Sequence, residues 1–548
     1  MIRTFQQIGS ADLPTVGGKG VNLGVLFRAG FPVPPGFCVT TKGFAAFAAG
    51  CSALPRLYAA LDAVPADDAE AVRVLGAQIR AALLAVPLPD AVAMAAVSAW
   101  QAIGAESAYA VRSSATAEDL PGASFAGQQD TYLNVRGEEA LLDAIRRCFA
   151  SLFTDRAIMY RQKNHFGQRG IGLSVVVQRM VFPDSAGILF TADPVSGHRG
   201  TVTIDAGFGL GEALVSGLVT ADLYRLDKRT GAVKDVRIGD KALAIRALPD
   251  GRTVTEKLSE HDRKTRVLDD KALRELCGLG RRVESFFGGI PQDIEWCKER
   301  GELFLLQARP ITSLYPLPDP LPTGDALHVY FGFSHAQNMI APITPLGRDI
   351  WQAMFPVGKR HITDVPDSPS VMVSAGGRLY IDVTSVLRVP TLRRIVMGVL
   401  SAVYPDLAAL IEQLADRPEV QAVSPPSLQN LRPLLGLLGP VPPRLIRELF
   451  LGHPEKLRST LDRLIDDQLD DFQRQLQALP SGLPRLQRLL LLMAGMFGIL
   501  PNFIPRFGVG MLSLRLLRQR FAGSQYAADV EALQRCLYGT TTTETEKK

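Results

Sequence analysis

The sequence has few cysteines, and none of them stands in an arrangement that suggests chemistry. Its six cysteines in 548 residues form no CxxC pair and no Cys/His cluster with zinc-site spacing. This excludes a zinc module and a disulfide-stapled scaffold, and we expect reduced core thiols. An excess of one charge is also lacking, since 60 Lys and Arg stand against 55 Asp and Glu, a net charge of +5. Without a basic block, we expect no nucleic-acid partner and no anionic membrane partner.

Long apolar runs are scarce as well. The first twenty residues contain no apolar segment of the length that a secretion signal needs, so we expect a cytoplasmic protein. The uncharged run from Leu489 to Pro505 is shorter than the roughly 20 residues of a membrane-spanning helix and contains Pro501 and Asn502. We therefore expect a buried helix there and no membrane span.

The standard phosphate-binding loops are absent too. The turn Gly17-Gly18-Lys19-Gly20 lacks the Ser or Thr that follows the lysine of a P-loop, and GFGLGEA, which starts at Gly207, has GxGxG where a dinucleotide fold has GxGxxG. What remains is a lysine in a glycine turn ahead of an expected helix start, where backbone N–H groups and one ammonium can face an anion. The alternative is that Lys19 is a solvated surface lysine.

What is present predicts a mixed α+β region followed by a helical one. Residues 1–312 alternate helical and strand-like stretches with glycine-rich turns. The apolar runs 172–181 and 185–194, separated by a turn at Pro183 and Asp184, are expected to form an antiparallel pair. Segment 201–217 predicts a strand, a glycine loop and a helix. Beyond Thr391, leucine and arginine recur with helical spacing, so we expect the last third of the chain to be mostly α-helical.

The length predicts more than one domain. At about 150 residues per domain, 548 residues give three to four compact units. Four prolines in the stretch TSLYPLPDPLPTGDA mark a linker. We expect a first domain over residues 1–314, a linker over 315–326, a second, mainly helical domain over 327–540 and a disordered tail over 541–548.

The segment AVRSSATAEDLPGASFAGQQDTY, residues 110–132, is the first candidate binding segment. A strand that ends in Arg112 and two serines offers a bidentate phosphate donor together with hydroxyl groups. The PGASFAG turn that follows is flexible enough to close over a ligand. The alternative is an ordinary polar loop.

The hairpin DIEWCKERGELFLLQARPIT, residues 293–312, is the second candidate. Period-two alternation places Gln307 and Arg309 on one face of the second strand, and folding about a turn at 299–302 brings Glu295 opposite Gln307 to within about one residue. A carboxylate and an amide oxygen suit Mg²⁺ that keeps waters and bridges substrate phosphates, and the arginine can neutralise phosphoryl charge. The alternative is a solvated, salt-bridged hairpin.

Six motifs in order carry a resemblance over residues 1–312: GGKGVNLG, AVRSSATAEDLPGASFAGQQDTYLNV, VVVQRMV, GILFTADPVSG, GFGLGEALVSGLV and DIEW…FLLQARPIT. Together they resemble the ATP-grasp nucleotide-binding domain of the phosphoenolpyruvate synthase and pyruvate phosphate dikinase family. The resemblance implies an α+β, two-lobed ATP-grasp fold with ATP between the lobes. It also implies a dikinase reaction, in which the β-phosphoryl group of ATP passes to a histidine on a mobile domain and leaves AMP and phosphate.

The resemblance also implies roles for individual residues. Phosphates would be held by Lys19 and Arg112, under a loop containing Gly127 and Thr131. Gln178 would lie on the strand that contacts the base, with Met180 or Val181 offering a backbone contact. Glu295 and Gln307 would bind Mg²⁺, and Arg309 would contact the transferring phosphoryl group, so that Arg309, Lys19 and Arg112 form the catalytic set.

Residues 327–351 and 376–384 resemble the opening of the substrate domain of the rifampicin phosphotransferase subfamily. That resemblance implies phosphorylation of a hydroxyl on a rifamycin-like molecule bound in a largely helical, apolar domain. The apolar segments 395–450 and 486–517 can supply such a pocket, or they can be an ordinary helical core. A phosphoenolpyruvate synthase-like component acting on a pyruvate-like substrate is a further alternative.

The phospho-accepting histidine of the family lies in a C-terminal domain, within a short Gly/Thr-Ser-His-like motif that this sequence lacks. Its histidines stand in other contexts: His165, His198, His261, His328, His335, His361 and His453. We therefore expect the chain to work with a separate phosphohistidine-domain protein. The alternative is an ATP-binding module without turnover.

Overall fold

The computed structural model describes most of the chain, which divides into two compact units, Met1–Tyr315 and Pro316–Lys548. The described residues are 1–65, 68–116, 131–163, 167, 171–248, 250–318, 321, 328–336, 339, 341–354, 372–390, 392–394, 397, 405–421, 441–452, 454–496, 500–526 and 528–530. Gly127, most of the expected linker and the expected tail at 541–548 lie outside them.

Within the described residues, the first unit contains thirteen strands and ten α-helices. The strands are β1 (Ile2–Thr4), β2 (Gly36–Val39), β3 (Tyr109–Ala115), β4 (Thr131–Val135), β5 (Leu173–Arg179), β6 (Ser185–Phe190), β7 (Thr201–Phe208), β8 (Asp222–Asp227), β9 (Val233–Arg237), β10 (Leu243–Ala247), β11 (Thr253–Lys257), β12 (Gln292–Glu299) and β13 (Glu302–Pro310). The helices are α1 (Leu13–Arg28), α2 (Thr41–Ala49), α3 (Leu54–Asp62), α4 (Ala69–Leu84), α5 (Asp90–Gly104), α6 (Glu138–Ala150), α7 (Asp155–Lys163), α8 (Glu212–Val215), α9 (Glu260–Lys264) and α10 (Asp270–Phe286).

The first sheet of this unit has the strand order β1-β2-β5-β3-β4, and every pair is antiparallel. Its two faces are different because side chains alternate along each strand. One face, which includes Val111, Val175 and Val177, joins a core with residues of α2 to α6. The opposite face, which includes Val176, packs with residues of α1.

The second sheet has the order β13-β12-β6-β7-β8-β9, again antiparallel throughout. Its apolar face, with Ile294, Trp296 and Ile204, is covered by α10 residues that include Leu276 and Val283. The other face is more polar and includes Glu295 of strand β12. The first unit is thus a mixed α/β structure built on two antiparallel sheets.

The expected pairing of segments 172–181 and 185–194 is wrong. Strand β5 pairs with β2 and β3 in the first sheet, whereas β6 pairs with β12 and β7 in the second. The short connection at Pro183 therefore carries the chain from one sheet to the other. Residues 222–257 form two hairpins, in which β8 pairs with β9 and β10 pairs with β11. Strand β7 is followed by a glycine loop and α8 as predicted.

The hairpin β10–β11 connects to both sheets. Leu210 and Ile245 share a small apolar cluster with Leu133 and Met180, which follow or belong to strands of the first sheet. The Asn134 amide donates to the carbonyls of residues 248 and 252 at 2.7 and 2.8 Å. These contacts help to set the distance between the two sheets on the side where β4 and β5 end.

A buried ion pair stabilises the edge of the second sheet. Asp222 and Lys241 are 0% and 1% exposed, and the lysine Nζ donates to Asp222 Oδ1 at 2.5 Å. The same carboxylate accepts the Gly239 N–H, the Tyr224 hydroxyl and the Val267 N–H, each at 2.9 Å. Burial raises the pKa of Tyr224 to about 12, so its hydroxyl remains a donor. Asp222 therefore joins β8, the 239–241 turn and the segment that leads into α10.

The second unit contains a three-stranded antiparallel sheet and helices. The sheet has the order β14 (Tyr330–Gly332), β16 (Arg378–Asp382) and β15 (Met372–Ala375). The helices in its described part are α11 (Phe333–Ala336), α12 (Pro345–Met354), α13 (Thr384–Leu387), α14 (Pro405–Ala415), α15 (Pro418–Gln421), α16 (Val441–Leu451), α17 (Pro454–Gln477), α18 (Leu483–Met496) and α19 (Leu500–Phe521).

Among the described residues, we find no single helix that is long and apolar enough to cross a membrane. One bent pair of helices, α2 with α3 at an angle of 103°, passes the same test by length and composition alone.

Candidate nucleotide-phosphate site

The glycine turn expected ahead of a helix is instead a break within helix α1 at Gly17, and Lys19 lies two residues further along the helix. This break is pressed against the end of β3. Helix α1 is interrupted at Gly17, whose φ of 70° and ψ of 172° are not helical. A Cβ at this position would lie 2.4 Å from Oγ of Ser114, so glycine is required both by the backbone conformation and by the close approach. The buried Ser114 hydroxyl donates to the Val16 carbonyl at 2.9 Å and accepts the Gly20 N–H at 3.2 Å. Ser114 thereby holds both sides of the break.

Lys19 is half-buried and directed at β3. Its Nζ donates to the main-chain carbonyl of Ser113 at 3.2 Å. The Gly-Gly-Lys-Gly and Arg-Ser-Ser motifs, which are far apart in sequence, therefore form one structural unit. This placement differs from that of a fully solvated surface lysine.

Arg112 and Thr131 are direct neighbours on the first sheet. Arg112 on β3 is paired with Thr131 on β4 and with Val176 on β5, and directly paired residues share a face of an antiparallel sheet. Gln178, two residues beyond Val176, lies on the same face. Its side chain is 2% exposed, and its Nε2 donates to the Pro34 carbonyl at 3.4 Å.

The backbone next to Gln178 is partly engaged. The Met180 N–H donates to the Ala108 carbonyl at 2.8 Å, so the contact with a base expected at Met180 or Val181 would use another main-chain group. The base-binding assignments of these residues and the phosphate-binding role of Thr131 stay predictions. Gly127 lies outside the described residues.

The hairpin β12–β13 has the register that alternation predicts. Glu295 is paired directly with Gln307, and Asp293 with Arg309. The hairpin turns at Arg300 and Gly301, whose φ values are 49° and 90°. Positive φ at both central residues is characteristic of a two-residue type I′ hairpin turn. The predicted patch of one carboxylate, one amide and one guanidinium is therefore present.

Edge strand β13 brings this hairpin to α1 and β3. The Asn22 amide on α1 donates to the Ala308 carbonyl at 2.9 Å. Arg112 donates through Nη1 to the Leu306 carbonyl and to Glu295 Oε2, both at 3.3 Å. The three motifs that carry Lys19, Arg112 and Glu295 thus meet at one place in the first unit.

Sequence reasoning missed Asp293. Its Oδ2 accepts from Nε and lies near Nη2 of Arg309, at 2.9 and 2.8 Å, and the carboxylate is 13% exposed. The signal was available, since Asp293 has the same parity as Glu295. Asp293 holds the Arg309 guanidinium in place beside the Glu295–Gln307 pair.

Sequence reasoning also missed Asp205. This residue on β7 lies in the same cross-strand row as Glu295, with Ile188 of β6 between them. Burial raises the pKa of Asp205 to about 6, an effect that Arg225 partly opposes. The only sequence signal for it was a lone charged residue in an otherwise uncharged strand.

Asp205 should make the stability of the first unit depend on pH. Because its pKa is raised by folding, the folded state favours the protonated form, so stability falls as the pH rises from about 4 to about 6. Asp205→Asn should therefore raise the melting temperature at pH 7.5 but not at pH 4. Thermal unfolding of both proteins across this range measures the difference, and an equal shift at the two pH values would contradict the assignment.

The donor set fits a magnesium ion that is bound together with phosphates. In the described part of the chain, no cluster of three or more His, Cys, Asp or Glu side chains has the geometry of a self-contained metal centre. The paired Glu295 and Gln307 instead offer a carboxylate and an amide oxygen, which match the few hard protein ligands of a Mg²⁺ site completed by water and substrate phosphates. Arg112 contacts Glu295, and Arg309 lies two residues from Gln307 on the same strand.

Residues 13–316 match the family model of the pyruvate phosphate dikinase AMP/ATP-binding domain, and the chain belongs to this family. A rifampicin phosphotransferase from Streptomyces is 45% identical over 424 residues, which is 77% of this chain and 47% of the relative. A rifampicin phosphotransferase from Bacillus cereus is 39% identical over 508 residues, or 90% of this chain and 56% of the relative.

A probable phosphoenolpyruvate synthase from Methanothermobacter thermautotrophicus is 42% identical over 315 residues, 57% of this chain and 46% of the relative. The chain spans about half the length of the curated relatives it matches.

Proposed function

We propose that the first unit is an ATP-grasp-type domain that binds ATP together with Mg²⁺, and that it serves a dikinase-type phosphotransferase. The observation that carries this proposal is the meeting of three separate motifs at one site, where Arg112 contacts both Glu295 and the backbone of the Gln307 strand. Membership in a family named for AMP and ATP binding supports it. We place this domain at residues 1–314 and the substrate domain at 327–540.

The side chains divide the work by charge. Lys19 and Arg112 bind phosphate oxygens, and Thr131 lies beside Arg112. Glu295 and Gln307 hold Mg²⁺, which neutralises phosphate charge when bound. Arg309, held by Asp293, stabilises charge on the transferring phosphoryl group. Gln178 lies toward the base.

For the acceptor we propose the hydroxyl of a rifamycin-like small molecule, reached through a histidine carrier on a separate domain. Relatives named rifampicin phosphotransferase match 72% to 90% of this chain. Those named phosphoenolpyruvate synthase match 55% to 57% of it. Similarity to the first group thus extends into the second unit, which favours a rifamycin-like acceptor over a pyruvate-like one.

The test is AMP formation from ATP labelled at the β-phosphate. With Mg²⁺ and a phosphohistidine-domain protein from a rifampicin phosphotransferase, the chain should release AMP and label a histidine of the added protein. Without that protein, we expect binding without sustained turnover. Nucleotide-dependent stabilisation without AMP in any pairing would identify a binding module without turnover and would overturn the dikinase proposal.

A further inference from the structure

Arg112 occupies one of the two carboxylate oxygens with which Glu295 could bind a metal ion. Its Nη1 lies 3.3 Å from Glu295 Oε2, and the two side chains are 12% and 30% exposed. The same nitrogen donates to the Leu306 carbonyl at 3.3 Å. The guanidinium thus bridges Glu295, one proposed metal ligand, and the backbone of the strand that carries Gln307, the other proposed ligand.

The guanidinium also has unused donor capacity. Arg112 Nε is buried and has no hydrogen-bond partner among the described residues. A buried donor without an acceptor is costly, and an anionic oxygen would relieve that cost. Phosphate is the acceptor that a guanidinium fork matches best. The bond to Glu295 is therefore only part of what this side chain can make.

Two cations compete for one carboxylate oxygen. A divalent ion on Glu295 Oε2 would lie within a few ångströms of the Arg112 charge, at a partly buried position where repulsion is poorly screened. Arg309 is held by Asp293 through two nitrogens, at 2.9 and 2.8 Å, two residue pairs further along the hairpin. Arg112 is therefore the cation that a metal ion must displace from Glu295 Oε2.

We infer that Arg112 excludes free divalent ions from Glu295 and releases this carboxylate only when phosphate oxygens accept its guanidinium. The site then selects a metal–nucleotide complex over the metal alone. This inference rests on the proposed function and adds a binding rule to it: metal and phosphates enter together, because the phosphates supply the acceptor that draws Arg112 away.

The test is Mn²⁺ binding without nucleotide, followed by electron paramagnetic resonance, in the wild type, Arg112→Met and Arg112→Gln. Both neutral variants should bind free Mn²⁺ about tenfold more tightly, whereas their affinity for Mn²⁺·ATP should fall. Arg237→Met is the matched control. Arg237 lies in the same cross-strand row as Glu295 but at the far edge of the sheet, and it is 69% exposed. Its loss should change Mn²⁺ affinity less than twofold.

The outcomes separate the inference from the function on which it rests. Unchanged Mn²⁺ affinity in both Arg112 variants, with Mn²⁺·ATP still bound by the wild type, would overturn the inference alone. A wild type that binds no Mn²⁺·ATP would overturn the proposed function. Circular dichroism checks that the variants fold. If neither Arg112 variant folds, the wild type alone still tests the inference. Free Mn²⁺ should bind to it at least about tenfold more weakly than Mn²⁺·ATP, and equal affinities would refute the inference.

Discussion

Replacing Glu295 with alanine is expected to abolish the metal-dependent part of nucleotide stabilisation. A ligand at 100 times its Kd stabilises the folded state by about 2.7 kcal/mol, and Mg²⁺·ATP should supply this to the wild type. Without the Glu295 carboxylate, Gln307 is left as a single neutral ligand, which is too weak to hold the ion. Thermal unfolding with ATP, in the presence and absence of Mg²⁺, measures the difference.

Glu302→Ala is the matched control, because Glu302 lies in the same hairpin, at its turn, and is exposed. This variant should retain the full Mg²⁺-dependent shift. Loss of the Arg112–Glu295 pair changes the stability of the variant both with and without Mg²⁺, so the difference between the two conditions reports the metal-dependent part. A Glu295→Ala protein with an undiminished Mg²⁺-dependent shift would show that the metal assignment is wrong.

Lys241→Met should cause the largest loss of stability in the first unit. It leaves the fully buried Asp222 carboxylate without its cation, and breaking one side of a buried ion pair costs about 3 to 5 kcal/mol. Because three hydrogen-bond donors to Asp222 remain, we expect a loss near the lower end of this range. Urea unfolding, followed in the transition of the first unit, gives the change in unfolding free energy.

The double variant Lys241→Met with Asp222→Asn tests the mechanism, because removal of both charges should recover part of the loss. Lys264→Met is the exposed control. Lys264 pairs with Glu260 on the surface of α9, so the urea midpoint of the Lys264→Met variant should match that of the wild type. If Lys241→Met unfolds at the wild-type midpoint, the pair does not stabilise the sheet edge.

Local pattern was sufficient to predict the hairpin. Alternation and a short turn determine which residues face each other, so the Glu295–Gln307 pair follows from sequence parity. The break at Gly17 was predictable for a similar reason, because it depends on local backbone freedom, although residues 18–20, which were expected in a turn, are helical. The contacts that join these pieces were not: Arg112 and Glu295 are 183 positions apart, and no periodicity encodes such a distance. The family resemblance supplied that connection.

The wrong pairing of segments 172–181 and 185–194 has the same origin. Two apolar runs around a short turn normally form a hairpin, but here each strand is enclosed by longer-range neighbours, β2 and β3 for one and β12 and β7 for the other. Long-range pairing thus overrides the local signal. Asp205 escaped prediction because its raised pKa depends on burial.

A crystal structure of the chain with Mg²⁺ and a non-hydrolysable ATP analogue tests the central claim most directly. We expect the triphosphate among Lys19, Arg112 and Arg309, with the metal about 2.0–2.1 Å from oxygens of Glu295 and Gln307. We also expect the Arg112 guanidinium to have left Glu295 for a phosphate oxygen. A nucleotide bound elsewhere, or a metal held without Glu295, would contradict the proposed site.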